Sequence, residues 1–346
     1  LWDIYERDSM KPIYNGEVEL GKRFEFSNDM VLGVLGNFKY RNSWINQIND
    51  LRRYEFTGVD GGANQTVDYT RWITTQQIDM SGFLSVGLEF NQDHALSLTA
   101  TQLRQTTDQV QQDRGLSSED NVDDATFVES YLLQWAENEI TSYQLGGTHY
   151  FTNLGDSLLE WRVVEGGGSR EAPDTRTYTY AEDNTGTMAM VTPSRQAAGD
   201  LRDVYQAPDR LYAELDDDIT EYGFDLEIPF DLWESTVRIG FSDYERTRES
   251  EDRLFRFDIT SSAPEFVAWQ TPGQLFDIPN WQNEYLSSRD FSASAANASG
   301  IFPFAESSEE VTAYYASFDA QVLPRLRLQA GVRFEETTLK ADAWGG

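Results

Sequence analysis

Strict two-residue alternation in residues 310–340, EVTAYYASFDAQVLPRLRLQAGVRFEETTLK, constrains this chain more than any other feature. Tyr314, Ala316, Phe318, Ala320 and Val322 share one parity, and Tyr315, Ser317, Asp319 and Gln321 the other. Past a tight reversal at Pro324-Arg325, Leu326, Leu328, Ala330, Val332 and Phe334 form one row against Arg327, Gln329, Gly331, Arg333 and Glu335. Successive side chains of an extended strand point to opposite faces, so each arm carries an apolar row backed by a polar one. A helix of period 3.6 would scatter both rows around its circumference. Each arm runs about ten residues or more, beyond the ~5–6 of ordinary strands and long enough to cross a bilayer obliquely. Two architectures fit: a soluble sandwich with its apolar face inward, and a membrane barrel with its apolar face toward lipid.

The rest of the chain discriminates between them. Further pairs of alternating arms follow Val18 to Tyr40, Ile78 to Leu103, Phe127 to Val164 and Tyr222 to Phe241, with short polar turns inside each pair. About ten strands are therefore expected. Residues 45–68, 105–125, 166–208 and 249–308 read as long irregular connections, so short and long connections alternate without exception. A sandwich mixes loop lengths at both ends, whereas an outer-membrane barrel keeps short periplasmic turns on one rim and long extracellular loops on the other. The expected fold is all-β: an antiparallel transmembrane β-barrel, or a fragment of one. Aromatic residues read as two interfacial girdles. Phe24, Phe26, Phe90, Tyr150, Phe151, Phe230 and Trp233 lie beside short turns, and Tyr40, Trp44, Trp72, Trp161 and Tyr244 near the opposite strand ends.

Composition closes off most other chemistry. With 59 acidic against 27 basic residues and a net charge of −32, the chain repels phosphate, which excludes a nucleic-acid partner. Cysteine is absent and histidine occurs twice, so neither a thiolate nor a histidine metal cluster is available. No cofactor is expected. Mean hydropathy is −0.56, and no run approaches the ~20 apolar residues of a membrane helix, but barrel strands hide their lipid face in alternation. The opening LWDIYERDSM has neither a basic start nor an apolar core of a signal peptide, which suits a cytosolic chain or a mature or internal fragment.

The wording AYYASFDAQVLPRLRLQAGVRFEETTLKA resembles a late barrel hairpin of TonB-dependent outer-membrane receptors. Glu221-Tyr222-Gly223-Phe224-Asp225 followed by Pro229-Phe230 is similar to mid-barrel strands of the same group. The resemblance covers the strand and turn pattern of most of the chain, and its wording is close in the last hairpin only. It implies an outer-membrane location in a Gram-negative bacterium, a lipid-embedded wall, a nutrient ligand (carbohydrate or metal chelate), and import energised by the periplasmic partner TonB. The family also carries a plug domain inside about 22 strands. This chain has no plug-like opening domain, no energy-coupling box and no terminal aromatic strand, so residues 1–346 read as part of one barrel domain. A passive porin and a soluble all-β binding protein are the alternatives.

Candidate sites are few. His94 and His149 both fall near short turns, away from the rim where a surface protease resembling the omptins would need a histidine with paired carboxylates. No catalytic residue is expected. The acidic run Glu214 to Asp218 lacks the spaced ligands of a calcium loop and reads as a solvated strand end; residues 121–124 and Asp183-Asn184 read as loop solvation. Gly166 to Gly168 lacks the lysine of a phosphate loop. The segment from Phe266 to Phe304 is different. It carries Phe266, Trp269, Phe276, Trp281, Tyr285, Phe291, Phe302 and Phe304 at nearly even polar spacing. So many rings need burial, either within the loop or against a ligand. Trp269, Trp281 and Tyr285 are the candidate substrate-binding residues.

Overall fold

The computed structural model describes residues 2–4, 12–26, 29–57, 62–91, 93–118, 126–182, 185–193, 208–290 and 303–344. Ten long strands make one antiparallel sheet: β1 (Tyr14–Phe26), β2 (Met30–Thr57), β3 (Gly62–Phe90), β4 (His94–Ser117), β5 (Thr126–Phe151), β6 (Ser157–Glu182), β8 (Asp209–Phe230), β9 (Ser235–Ile259), β11 (Phe304–Leu323) and β12 (Leu326–Trp344). Two short strands, β7 (Met188–Met190) and β10 (Leu286–Asp290), attach to β6 and β9. The long strands pair in chain order, and among the described residues β1 and β12 are the sheet's edges. Between β9 and β10 lie a 3-10 turn (Glu265–Trp269) and the helices α1 (Pro272–Leu275) and α2 (Ile278–Gln282).

The all-β expectation holds, and so does the reversal at Pro324-Arg325, where Leu323 pairs with Leu326. The long connections hold in part: residues 183–208 still separate β6 from β8 and residues 260–303 separate β9 from β11, but the other two are shorter than expected. Most of residues 45–68 belong to β2 and β3, which end and resume at Thr57 and Gly62, so this connection is four residues long and the alternation of short with long fails there. Most of residues 105–125 extend β4 to Ser117, and the glycine run Gly166 to Gly168 lies inside β6. Glu214 to Asp218 is likewise mid-strand in β8, where Asp217 accepts from Arg246 and Arg248. Residues 121–124, Asp183, Asn184, Phe291 and Phe302 lie outside the described residues.

Register carries the apolar parity across the whole sheet. Leu226, Ile239, Ala316 and Val332 occupy one rung, and Leu88 sits between Leu32 and Leu96 on another. The resulting band reaches from Val18 and Leu20 in β1 to Val332 and Phe334 in β12, and these four are 57–72% exposed. A solvated face of this extent is far beyond the few hundred Å² of apolar patch that soluble monomers expose. The opposite face is polar and internally paired. Asn37 donates to Glu17 (2.9 Å), Gln105 to Asp79 (3.0 Å), Arg162 to Glu221 (2.7 Å), Arg238 to Glu227 (2.7 Å) and Arg327 to Asp319 (2.5 Å).

The sheet is also staggered. One rung runs through Tyr14, Asn42, Ile78, Thr106, Glu137, Glu171, Glu214, Glu251 and Phe304. From that rung the short-turn end of the strand lies 12 residues away in β1 (14 to 26), 12 in β3 (78 to 90), 14 in β5 (137 to 151), 16 in β8 (214 to 230) and 19 in β11 (304 to 323). If the turns share one level, seven residues of drift over eight strand steps tilt the strands by about 30°, from the ~3.3 Å rise and ~4.8 Å strand spacing.

Of the two expected rows of rings, the first lies beside the short turns, although Tyr150 pairs with Leu158 on the rung of Glu227 and so sits on the polar face. The other moves. Trp161 lies four residues into β6, on the short-turn side, because that strand begins at Ser157. The rings at the far border of the apolar band are tyrosines: Tyr14 stacked on Tyr40 at 5.8 Å, then Tyr143, Tyr222 and Tyr314, all exposed or nearly so. Beyond them, on the same face, sits the main buried cluster, including Trp2, Tyr178, Met190, Val267 and Leu275.

Candidate functional site

The segment between β9 and β10 is folded by its own caps. Thr271 caps α1 in a capping box with Gln274, with Pro272 at the first helical position, and Asp277 caps α2 ahead of Pro279. The Asn280 amide, only 7% exposed, donates to Gln270 Oε1, Gln274 O and Leu275 O and so ties both helices to the preceding turn. The segment docks on the distal ends of β5, β6 and β9. Phe276 stacks on Trp2 at 4.3 Å and meets Phe257 at 5.2 Å, and Trp2 meets Tyr178 at 6.0 Å. Tyr178 donates its hydroxyl to Trp2 O (3.1 Å) and Tyr180 to Gln270 O (2.6 Å), while Asp3 Oδ1 accepts from Gly273 N (2.7 Å).

Docking leaves a cavity of about 520 Å³, lined by Tyr131, Tyr178, Tyr180, Trp269, Glu129 and Asp3 among others. That volume suits a drug-sized ligand. Tyr131 stacks on Tyr178 at 4.9 Å, donates to Glu129 (2.9 Å) and accepts from Gln112 (2.9 Å). Burial, helped by Glu129, pushes the Tyr131 phenol up to about 12, and burial raises Tyr178 and Tyr180 as well. All three are neutral hydroxyls at physiological pH. The cavity therefore offers ring faces, hydroxyls and carboxylates. Beside it Asp174 is shared by Arg176 and Arg210 (2.6 and 2.9 Å from Arg210), and Arg176 lies over the Trp2 ring at 5.5 Å. Burial opposes ionisation of Asp174, but the two guanidiniums outweigh it and hold its carboxyl below the usual range.

The three candidate residues separate. Trp269 is 43% exposed and lines the cavity. Trp281 does not line it; its ring meets Phe257 edge-on at 6.1 Å. Tyr285 packs against the buried cluster, and its carbonyl accepts from Thr260 N (2.9 Å). Phe304 lies in β11, apart from this segment, stacked on Trp344 at 6.1 Å. Tyr131, Tyr178, Tyr180 and Trp2 were missed by sequence reasoning. The available signal was the TYTY run, residues 177–180, whose two tyrosines share a parity.

The two histidines, expected at separate turns, face each other. His94 pairs with His149 in register, their Nδ1 atoms are 3.3 Å apart, and Trp161 Nε1 donates to His149 Nε2 at 3.0 Å. Trp161 can only donate, so neutral His149 carries its proton on Nδ1 and donates it to His94 Nδ1. Among the described residues no group of three or more histidines and carboxylates is placed to hold a metal ion. No protein-family model matches the chain, and no curated protein matches it either.

Proposed function

We propose that this chain is part of the wall of an outer-membrane β-barrel receptor that captures a nutrient on its extended rim and imports it. The observation that carries the reading is the exposed apolar band, continuous over ten strands and backed by an ion-paired polar face. Lipid on one side and water or a plug on the other is the environment that stabilises such a sheet. The stagger supports it, because a barrel wall needs tilted strands. So does the tyrosine row at the distal border of the band. The wording of the last hairpin supports the further step to a TonB-energised receptor. Trp269 is the first capture residue, since it combines exposure with a cavity.

The membrane reading is tested by fractionating cells that express the full-length protein. It should partition with the outer membrane and require detergent for extraction; recovery as a soluble monomer in plain buffer would overturn it. Capture is tested by Trp269→Ala in the same cells. Nutrient uptake should fall several-fold or more, as loss of an aromatic anchor worth above ~1 kcal/mol predicts, with the amount of protein in the membrane unchanged.

A further inference from the structure

The cavity beside Trp269 constrains the class of molecule that fills it, given the reading of that cavity as the capture site. Its rings come from three elements: Tyr131 from β5, Tyr178 and Tyr180 from β6, and Trp269 from the 3-10 turn. Alternation puts Tyr178 and Tyr180 on one face of β6, and cross-strand pairing brings Tyr131 opposite Tyr178. Tyr178 and Tyr180 stand at right angles with centroids 6.2 Å apart, while Tyr131 lies within 22° of parallel to Tyr178. The walls are therefore aromatic on more than one side.

The polar groups narrow the choice. The phenol hydrogens are spent inside the protein: Tyr131 donates to Glu129, Tyr178 to Trp2 O and Tyr180 to Gln270 O. These tyrosines thus present ring surface to a ligand rather than donors. Among the described residues neither lysine nor arginine lines the cavity. Arg114 nearby pairs with Glu129 at 2.9 Å, and Arg176 is held by Asp174 over the Trp2 ring. The charges that line the cavity are the carboxylates of Asp3 and Glu129. Asp3 spends Oδ1 on Gly273 N and makes no ion pair among the described residues. Burial is the main reason the three phenols keep their protons, and the carboxylates add to it, Glu129 at Tyr131 and Asp3 at Tyr178 and Tyr180.

An anionic ligand meets carboxylates with no lining cation to offset them, in a chain of net charge −32. A polyol asks for donors that the phenols have already spent. A primary ammonium brings three N–H groups to walls that are mostly ring, and leaving any unpaired is costly. A quaternary ammonium has no N–H to satisfy, and ring faces within ~6 Å attract it more strongly as water is excluded. We infer that the cavity binds an organic cation carrying a quaternary ammonium group, of the choline class.

The test uses the full-length protein in detergent micelles and calorimetric titration with choline and acetylcholine. The comparison probes are 3,3-dimethylbutanol, the neutral carbon isostere of choline, and ethanolamine, its primary ammonium counterpart. Choline or acetylcholine should bind about tenfold more tightly than either comparison probe. Asp3→Asn keeps an oxygen for Gly273 N and removes the charge; it should weaken choline about two- to fivefold and leave dimethylbutanol unchanged. Trp269→Leu keeps apolar bulk without a ring face and should weaken choline about fivefold. Thermal unfolding of both variants should match the parent. No binding of either quaternary ammonium, equal binding of dimethylbutanol or ethanolamine, or binding untouched by both variants would overturn the inference. Ammonium binding with normal uptake in Trp269→Ala cells would uphold it and overturn the capture reading, and lost uptake without ammonium binding would do the reverse.

Discussion

At the scale of single residues, glycines act by leaving room for an aromatic ring on the neighbouring strand. Tyr315 reaches across Gly240 to Asp225, donating to Oδ1 at 2.5 Å, and all three lie on one rung. A Cβ on Gly240 would overlap the Tyr315 ring and crowd Asp225. Gly147 gives Trp161 the same clearance on its way to His149. Gly240→Ala should therefore cost about 1–2 kcal/mol, the scale of a lost hydrogen bond plus a displaced ring. Tyr315→Phe should cost less, and the double variant little more than Gly240→Ala alone, since both remove one interaction. Urea unfolding in micelles checks all three. Asp174 supports a pH prediction. Its folded pKa is depressed by Arg176 and Arg210, so the stability it contributes is fully present above the unfolded value near 3.9 and is lost as the pH falls through the folded one. Asp174→Asn should be less stable than the parent at neutral pH, and the two unfolding curves should converge as the pH drops below about 3.9. A gap that widens on acidification would refute the assignment.

At the scale of elements, the halves of the strands near the short turns were legible in the sequence and the distal halves were not. In Ile78 to Phe90 one face is apolar and the other polar, so the period of two stands out. From Gln105 to Gln112, or Asn46 to Arg53, both faces are largely polar and the alternation vanishes although the ladder continues unbroken. Register shifts at Leu133/Glu137 and Ala172/Thr175 compound this, because parity counted along β6 changes face at the bulge. The candidate site was half legible. Ring density marked the segment holding Trp269, but its tyrosine partners come from β5 and β6, far off in sequence. The glycine run illustrates what local reading misses. It resembled a loop, yet in β6 a Cβ on Gly167 would stand 2.6 Å from Asp217 O, so the glycines permit close approach of β8. Gly167→Val should cost about 1–3 kcal/mol through overpacking. A variant as stable as the parent, measured by thermal unfolding, would remove that role.

At the scale of the whole molecule, the decisive quantity is how the cost of a charge varies with face and with depth. Val332 lies on the rung of Leu226, Ile239 and Ala316, within the apolar band and 70% exposed. Leu328 shares its face but sits four residues nearer the turn, while Gln329 pairs with Asp319 on the opposite face. With lipid against the band, Val332→Arg places a guanidinium near the bilayer midplane, at about 2–4 kcal/mol, and Leu328→Arg, closer to the interface, should cost less. Gln329→Arg should be tolerated, because it faces an aqueous side already furnished with Arg327 and Asp319. The stagger adds a sharper expectation. Residues at equal depth follow the tilted line of tyrosines from Tyr40 through Tyr143 and Tyr222 to Tyr314, not a rung of paired residues. Arginine scanned along the Val332 rung should thus give penalties that change steadily from β6 to β12. Folding into lipid vesicles, monitored by protection from protease, measures the series. Equal penalties for Val332→Arg and Gln329→Arg would mean that both faces see the same medium, and the sheet would then not be a wall between lipid and water.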